Sequence, residues 1–242
     1  MPSQSRDQIL SAYMETYGLD ESQLMEDSVS ETKAVLDAAA DYALDRHDAF
    51  EIKPERCALV VIDMQVGFVA HGSAQWIPQA ERMLPPLIGF ADACRDAGIP
   101  VLLTSANTLS PAPNDAPRFS KAMAEGNLGD DAPGLEIMTG LHRKGDYLIT
   151  TKRTYDSFYG TDLDMQLRSR GRDTVIITGT MTNYCCEATA RSAFDRGYHV
   201  VFMSDLTATD IALCHEATLL TMRRGYARVM DRFRFLQEIG VE

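Results

Sequence analysis

The chain has 242 residues and a mass of 26.8 kDa, a size that fits one large domain or a domain with an appendage. Apolar residues make up 45% of it and charged residues 24%. This is the ordinary mix of a globular protein, and it excludes a disordered chain and a fibre. The net charge of −12 gives a surface that repels phosphate groups, so we expect neither nucleic acid nor a membrane as a partner.

The cysteines do not form the pattern of a disulfide-stapled protein, because they are odd in number and widely scattered: Cys57, Cys94, Cys185, Cys186 and Cys214. The first residues, MPSQSRDQIL, lack the basic-then-apolar order of a secretory signal. No apolar run approaches the ~20 residues that span a bilayer. We therefore expect a cytoplasmic location.

Residues 1–53 differ in composition from the rest of the chain. Segments 6–16 and 29–45 are rich in Ala, Leu, Glu and Asp, which on balance favours helix. The region contains no strand-like run and no chemical motif. The prediction is an N-terminal helical arm that lies on the main domain, residues 54–242, or on a neighbouring subunit. The alternative is a partly mobile tail.

From residue 57 onward, short apolar runs alternate with helical patterns. Strands are predicted over residues 57–63, 100–106, 147–151, 174–179, 199–205 and 226–230. Helices are predicted over residues 80–97, 161–170, 183–197 and 210–224. This alternation indicates parallel βαβ units. We predict an α/β, three-layer Rossmann-like fold with a mostly parallel five- to six-stranded sheet covered by helices on both faces.

One stretch, residues 110–146, interrupts this alternation and is rich in Pro and Gly. Long excursions of this kind in compact domains usually shape a binding site or act as lids. One of these two roles is expected for residues 110–146.

Reactive side chains follow three of the predicted strands. Asp63 ends the first strand and Lys152 follows the third, while Cys185 and Cys186 fall in the first turn of the helix after the fourth. Ligands of an open parallel sheet bind at the carboxyl ends of its strands, which share one edge. We therefore expect an acid, a base and a thiol to meet at that edge.

Cys185 is the better candidate nucleophile of the two adjacent cysteines. Thr182 or Asn183 can cap the helix, so Cys185 falls near its start, where the partial positive charge favours a thiolate. A nearby Lys152 would lower the pKa of the thiol further. Cys186 continues the apolar stripe of the helix and is expected in the core.

Three segments, in this order and spacing, carry a resemblance: VVIDMQVGF, KRTYDSFYGTDL and GTMTNYCCEATARSAFDRGY. Together they resemble the isochorismatase-like cysteine hydrolases over about residues 55–232, and within them the N-carbamoylsarcosine, ureidoacrylate and biuret amidohydrolases. The resemblance implies that Asp63 is the general base of a catalytic triad. Lys152 would be its cationic partner, and Cys185 its nucleophile.

The resemblance also implies an oxyanion hole and an activity. A non-proline cis peptide between Thr180 and Met181 would aim the amides of Met181 and Cys185 at the developing oxyanion. The implied enzyme cleaves a C–N bond of a small amide, ureide or carbamoyl compound through a thioester, releasing ammonia or an amine, and is a homo-oligomer (dimer or tetramer). The alternatives are an isochorismatase-type vinyl ether hydrolase and a non-catalytic α/β scaffold.

This sequence differs from better-known members of the family at positions that affect the predicted binding pocket. Nicotinamidases carry metal ligands after the first and second strands, whereas these stretches hold only His71, so no metal and no other cofactor is expected. A nucleotide is disfavoured because neither G-x-G-x-x-G nor G-x-x-x-x-G-K-[ST] occurs. Asp156 and Ser157 replace the usual serine and alanine, which makes a different local pocket possible. The candidate pocket walls, for which core packing or a turn is the alternative, are Phe68, Trp76, Asn107, Tyr155, Phe158 and Tyr184.

Overall fold

The computed structural model describes residues 50–73, 75–107 and 133–241. Of the predicted N-terminal arm, only residues 50–53 fall within this part of the chain. Of the Pro- and Gly-rich stretch, only residues 133–146 do. The remainder of both predictions lies outside the described residues.

Six strands form a single parallel sheet in the order β3-β2-β1-β4-β5-β6. The strands are β1 (Cys57–Ile62), β2 (Val101–Ala106), β3 (Tyr147–Lys152), β4 (Thr174–Thr180), β5 (His199–Ala208) and β6 (Arg228–Met230). The helices are α1 (Val66–Val69), α2 (Pro78–Asp96), α3 (Leu163–Ser169), α4 (Glu187–Asp195), α5 (Ala212–Gly225) and α6 (Arg232–Glu238). The predicted α/β fold with a parallel sheet is confirmed.

The sheet is buried on both faces, which explains why its strands read as continuous apolar runs. Alternate residues of β1 point into two separate cores. Leu59 and Val61 belong to the cluster that α2 and α6 cover, whereas Val60 and Ile62 belong to the cluster that α3, α4 and α5 cover. These three layers place the carboxyl ends of all strands along one edge.

The strand order reverses between β1 and β4, which pair along their whole length. In such sheets the crevice at the reversal, outside the carboxyl ends of the strands, is where ligands bind. The pairing of β2 with β3 shifts register between Thr104 and Ala106, and that of β4 with β5 shifts between Ile177 and Gly179. Both shifts lie in the carboxyl halves of these strands.

Several element boundaries differ from the predictions. The helix expected from residue 183 begins instead as one turn of π-helix, Thr182–Cys186, that leads into α4. Strand β5 continues to Ala208 rather than ending at residue 205. Helix α6 had no sequence prediction; it is short, and its buried Phe235 packs edge-on against Phe90 of α2.

Within the described residues, none of the helices is both long enough and apolar enough to cross a bilayer.

Candidate active site

The structure brings Asp63, Lys152 and Cys185 together at the carboxyl edge of the sheet. The Lys152 ammonium donates to Asp63 Oδ2 at 2.6 Å and lies 3.4 Å from Cys185 Sγ. Asp63 and Lys152 are fully buried, and Cys185 is 7% exposed. The expected meeting of an acid, a base and a thiol is therefore found in the structure.

Asp63 is held by threonines of the two strands that flank β1. Thr104 of β2 donates to Asp63 Oδ1 at 2.6 Å and accepts from the Asp63 amide at 3.2 Å. Thr180 of β4 donates to the Asp63 carbonyl at 3.1 Å. Asp63 itself has a φ of +50°, a region that residues other than glycine seldom adopt. These contacts hold the carboxylate at the reversal of strand order.

Gly179 allows β4 to approach the end of β1. It has a φ of +110°, and a Cβ built on it would lie 2.0 Å from the carbonyl oxygen of Ile62. No other residue type fits at that distance. The close approach brings the turn after β4 next to Asp63, which directly follows Ile62.

The turn after β4 presents the two cysteines in different directions. Cys186 is fully buried, and its thiol contacts the Thr178 carbonyl at 3.8 Å, so its predicted core location is confirmed. Cys185 faces Asp63 and Lys152. Two side-chain hydrogen bonds tie the turn to its surroundings, one between Thr182 and His215 (2.9 Å) and one from Thr209 to Asn183 (2.7 Å).

Lys152 lowers the pKa of the Cys185 thiol, as predicted, but burial outweighs it and the pKa is raised overall. Burial raises the pKa of the Cys185 thiol to about 12; the charge of Lys152 lowers it, and the charge of Asp63 raises it again. Burial also acts to lower the pKa of Lys152, but Asp63 and Cys185 outweigh it and hold that pKa above its usual range. The resting site therefore contains a neutral thiol and a charged ammonium. The helix start and Lys152 therefore stabilise the Cys185 thiolate by less than burial destabilises it.

The peptide bond between Thr180 and Met181 is cis, as the resemblance implied. The amides of Tyr184 and Cys186 both donate to the Met181 carbonyl at 3.1 Å, which closes the turn on itself. Met181 is half-buried beside Cys185 in sequence and space. The assignment of the Met181 and Cys185 amides to an oxyanion hole stays a prediction.

Three of the candidate pocket residues lie at this edge. Tyr155, on the loop after β3, and Tyr184, next to Cys185, have ring centroids 5.2 Å apart. Tyr184 is 42% exposed. Asn107 is buried directly after β2, and its amide donates to the Lys152 carbonyl at 3.0 Å. These three residues follow the ends of β3, β4 and β2, and their pocket roles stay predictions.

The other candidate pocket residues lie elsewhere or in the core. The Phe158 ring packs on Tyr198, at the amino end of β5, and under the Arg196 guanidinium, and its pocket role also stays a prediction. Phe68 is buried in the core cluster under α2. Trp76 precedes α2, where its indole donates to Glu81 at 2.7 Å. Pocket roles for Phe68 and Trp76 stay predictions.

Asp156 and Ser157 link the loop after β3 to α4. The Asp156 carboxylate accepts from the Phe158 amide and from the Ser192 hydroxyl, both at 2.8 Å. The buried Ser157 donates its amide to Thr189 Oγ1 and accepts from that hydroxyl, both at 3.0 Å. The unusual residues at these two positions therefore serve to attach the loop that follows Lys152.

Two residues of the site had no sequence prediction, Thr104 and Gln65. The Gln65 amide group is fully buried, accepts from the Ala106 amide at 2.7 Å, and donates to the carbonyls of Ala106 and Gly134 at 3.2 and 3.0 Å. It joins the loop after β1 to the end of β2 and to the turn at residues 133–135. No sequence pattern in β2 distinguishes Thr104 from the other residues of the strand. Gln65 could have been found, because it is a polar residue in an otherwise apolar stretch, two positions after Asp63.

No cluster of three or more metal-binding side chains occurs in the described parts of the chain.

Comparisons with known proteins agree with this geometry. The sequence profile of the isochorismatase domain matches residues 57–232. The chain is 35% identical over 176 residues to Nicotinamidase 3 of Arabidopsis thaliana, covering 72% of this chain and 84% of that protein. It is 32% identical over 188 residues to the isochorismatase family protein YwoC of Bacillus subtilis, with 74% and 93% covered. It is 29% identical over 228 residues to the ureidoacrylate amidohydrolase RutB of Methylobacterium radiotolerans, with 81% and 84% covered.

Solved structures give the same result. A cysteine hydrolase from Pseudomonas syringae pv. phaseolicola superposes with a TM-score of 0.71 at 26% identity, covering 79% of this chain and 95% of that one. N-carbamoylsarcosine amidase from Thermoplasma acidophilum superposes with a TM-score of 0.61 at 28% identity, covering 73% and 96%.

Proposed function

Because the chain belongs to the isochorismatase family of hydrolases, we propose that it is a cysteine-dependent amidohydrolase acting on a small amide, ureide or carbamoyl compound. The observation that carries this proposal is the contact of one buried ammonium, Lys152, with both a carboxylate (2.6 Å) and a thiol (3.4 Å). A nucleophile, a base and a fixed cation are the groups that acyl transfer through a thioester requires.

The first step joins Cys185 to the substrate. The thiol rests protonated, since burial raises its pKa to about 12, so Asp63 Oδ2 takes the proton as Sγ attacks the carbonyl carbon. Asp63 then returns this proton to the leaving nitrogen, the C–N bond breaks, and ammonia or an amine departs. Lys152 stays charged throughout and compensates the negative charge as it passes from the carboxylate, through the attacking sulfur, to the carbonyl oxygen of the substrate.

The second step releases the product acid. Water attacks the thioester carbonyl while Asp63 takes one of its protons, and the C–S bond breaks as that proton returns to Cys185. The carboxylate thus serves as base and then as acid in each half of the reaction. In this proposal the amides of Met181 and Cys185 stabilise the oxyanion of both tetrahedral intermediates, a contribution of about 3 kcal/mol per donor.

The amidohydrolase reading is preferred to vinyl ether hydrolysis because of Cys185. Acid hydrolysis of a vinyl ether needs a proton donor and no sulfur nucleophile. Here the thiol belongs to the turn Thr182–Cys186 and lies 3.4 Å from the ammonium that also contacts Asp63. The names of two relatives, a nicotinamidase and a ureidoacrylate amidohydrolase, and of a structural neighbour, N-carbamoylsarcosine amidase, point to the same class of bond.

The test is a screen for ammonia release from a panel of small amides, ureides and carbamates, followed by Cys185→Ala. We expect the variant to lose at least about a thousandfold in kcat/KM, as removal of a nucleophile does in comparable enzymes. Cys186→Ala is the matched control, because Cys186 adjoins the nucleophile but points into the core; it should keep its rate within a few-fold. Amide hydrolysis that survives in Cys185→Ala would contradict the proposal, and turnover of isochorismate alone would favour the alternative.

A further inference from the structure

The two oxygens of the Asp63 carboxylate have different partners. Oδ2 faces the reacting groups, where it accepts from Lys152 at 2.6 Å. Oδ1 faces the opposite way, onto β2, and accepts from the Thr104 hydroxyl at 2.6 Å. All three residues are fully buried, so the sheet surrounds these contacts.

Thr104 has two side-chain contacts with Asp63. Its hydroxyl donates to the carboxylate, because an ionised carboxylate can only accept. The same hydroxyl oxygen accepts from the Asp63 amide at 3.2 Å, and this amide also donates to the Thr104 carbonyl at 3.2 Å. Thr104 and Asp63 therefore form a closed pair in which the side chain of one holds both the backbone and the side chain of the other.

We propose that Thr104 is a positioning residue for the reaction, one that keeps Asp63 Oδ1 occupied so that Oδ2 alone receives the Cys185 proton. This inference rests on the proposed function. Without the hydroxyl, Oδ1 becomes a buried acceptor with no side-chain donor from β2, and the carboxylate is free to rotate toward another partner. Oδ2 then moves away from the Lys152 ammonium, which also contacts the thiol, and proton transfer slows.

The hydroxyl also favours the charged form of the carboxylate, because a hydrogen bond to a carboxylate stabilises it relative to the acid. Among the described residues, the titratable groups that face Asp63 are Lys152 from β3 and Cys185 from the turn after β4, and Cys186 interacts with Asp63 electrostatically from the core. None of them changes in a Thr104 variant. The acidic limb of the pH–rate profile, below which the base is protonated, therefore moves to higher pH when the hydroxyl is removed.

The experiment compares Thr104→Val, Thr104→Ser and Thr178→Val. Thr104→Val keeps the shape but removes the hydroxyl; we expect kcat to fall about 10- to 100-fold, KM to stay within about twofold, and the acidic limb to move upward. Thr104→Ser restores the hydroxyl donor and should return kcat and the acidic limb toward their wild-type values. Thr178→Val is the matched control: Thr178 is equally buried, and its hydroxyl donates to a β1 backbone carbonyl, that of Val60, at 3.1 Å.

Equal effects of Thr104→Val and Thr178→Val on kcat and on the acidic limb would overturn the proposal, because they would show a general effect of losing a buried hydroxyl. The proposal would also be overturned if the acidic limb of the pH–rate profile stayed at its wild-type pH in Thr104→Val. If Thr104→Val does not fold, Thr104→Ala replaces it as the hydroxyl-free variant.

A second measurement separates this inference from the proposed function. The rate at which iodoacetamide alkylates Cys185 is followed against pH by peptide mass spectrometry, which requires no substrate. An acidic limb that moves upward in Thr104→Val supports the positioning role even if no amide is hydrolysed. Amide hydrolysis with identical alkylation profiles in wild type and Thr104→Val would leave the hydrolase standing and refute the role of Thr104.

Discussion

Replacing Asp63 by Asn should make Cys185 a more reactive thiol while it stops hydrolysis. In the wild-type protein burial is the main cause of the raised pKa of Cys185; the charge of Lys152 lowers this pKa, and the charge of Asp63 raises it. Asn is nearly the same size and can still accept from Lys152, but it carries no charge. The buried ammonium then has the Cys185 sulfur, 3.4 Å away, as its nearest anion.

The size of the effect follows from the geometry. Two unit charges within hydrogen-bonding reach, about 4 Å, interact by about 4 kcal/mol at an effective dielectric constant of 20. Removing this repulsion raises the thiolate fraction at a given pH by about a thousandfold. With a wild-type pKa of about 12, the fraction at pH 8 would rise from about one in ten thousand to about one in ten.

The assay is alkylation by iodoacetamide at pH 8, quantified for each cysteine peptide. Cys214 is the internal control, because its pKa is raised by burial and by Asp210 and not by Asp63. We expect the Cys185 rate to rise about 100- to 1000-fold relative to Cys214, while hydrolysis falls by a similar factor or more. Asp63→Asn that is folded by circular dichroism and yet shows an unchanged or slower Cys185 rate would refute this electrostatic account.

Two further predictions concern stability. Gly179→Ala should unfold the protein or lower its free energy of unfolding by more than about 4 kcal/mol in denaturant melts, because the new Cβ would lie 2.0 Å from the Ile62 carbonyl oxygen. Gly89→Ala is the control, because a Cβ there meets open space and should not lower the free energy of unfolding. Equal losses of stability in the two variants would contradict this reasoning. His215 has its pKa lowered, chiefly by burial, so the unfolded chain binds more protons, and stability should fall as the pH drops from about 6.5. The urea midpoint should therefore differ less between pH 7.5 and 5.5 in His215→Asn than in wild type, and an equal difference would argue against this assignment.

The positions of the three reactive groups could be predicted from the sequence because parallel topology places strand ends on one edge. Strands buried on both faces leave continuous apolar runs, and the residue after each run is then at the carboxyl edge. Asp63, Lys152 and Cys185 all stand at such ends. The resemblance to isochorismatase-like hydrolases rested on the same segments, and the matching domain profile confirms it.

What surrounds these groups could not be predicted, because it depends on distances between strands far apart in sequence. Thr104 is an ordinary β2 residue until β1 and β2 pair, which brings it against Asp63. The sign of the Cys185 pKa shift depends on how completely the fold buries the thiol, and no local pattern gives that quantity. Phe158 follows Lys152 closely, yet the loop turns it toward the amino end of β5.

The contacts of Asp156 with Ser192 and of Ser157 with Thr189 have a consequence for protein engineering. They bind the segment after Lys152 to helix α4, which directly follows the turn that contains Cys185, so the amine and the sulfur belong to one connected unit. A graft of residues 153–162 from another enzyme would lose these partners unless residues 187–195 came with it. Attempts to exchange substrate preference among relatives should therefore transplant both segments as one cassette.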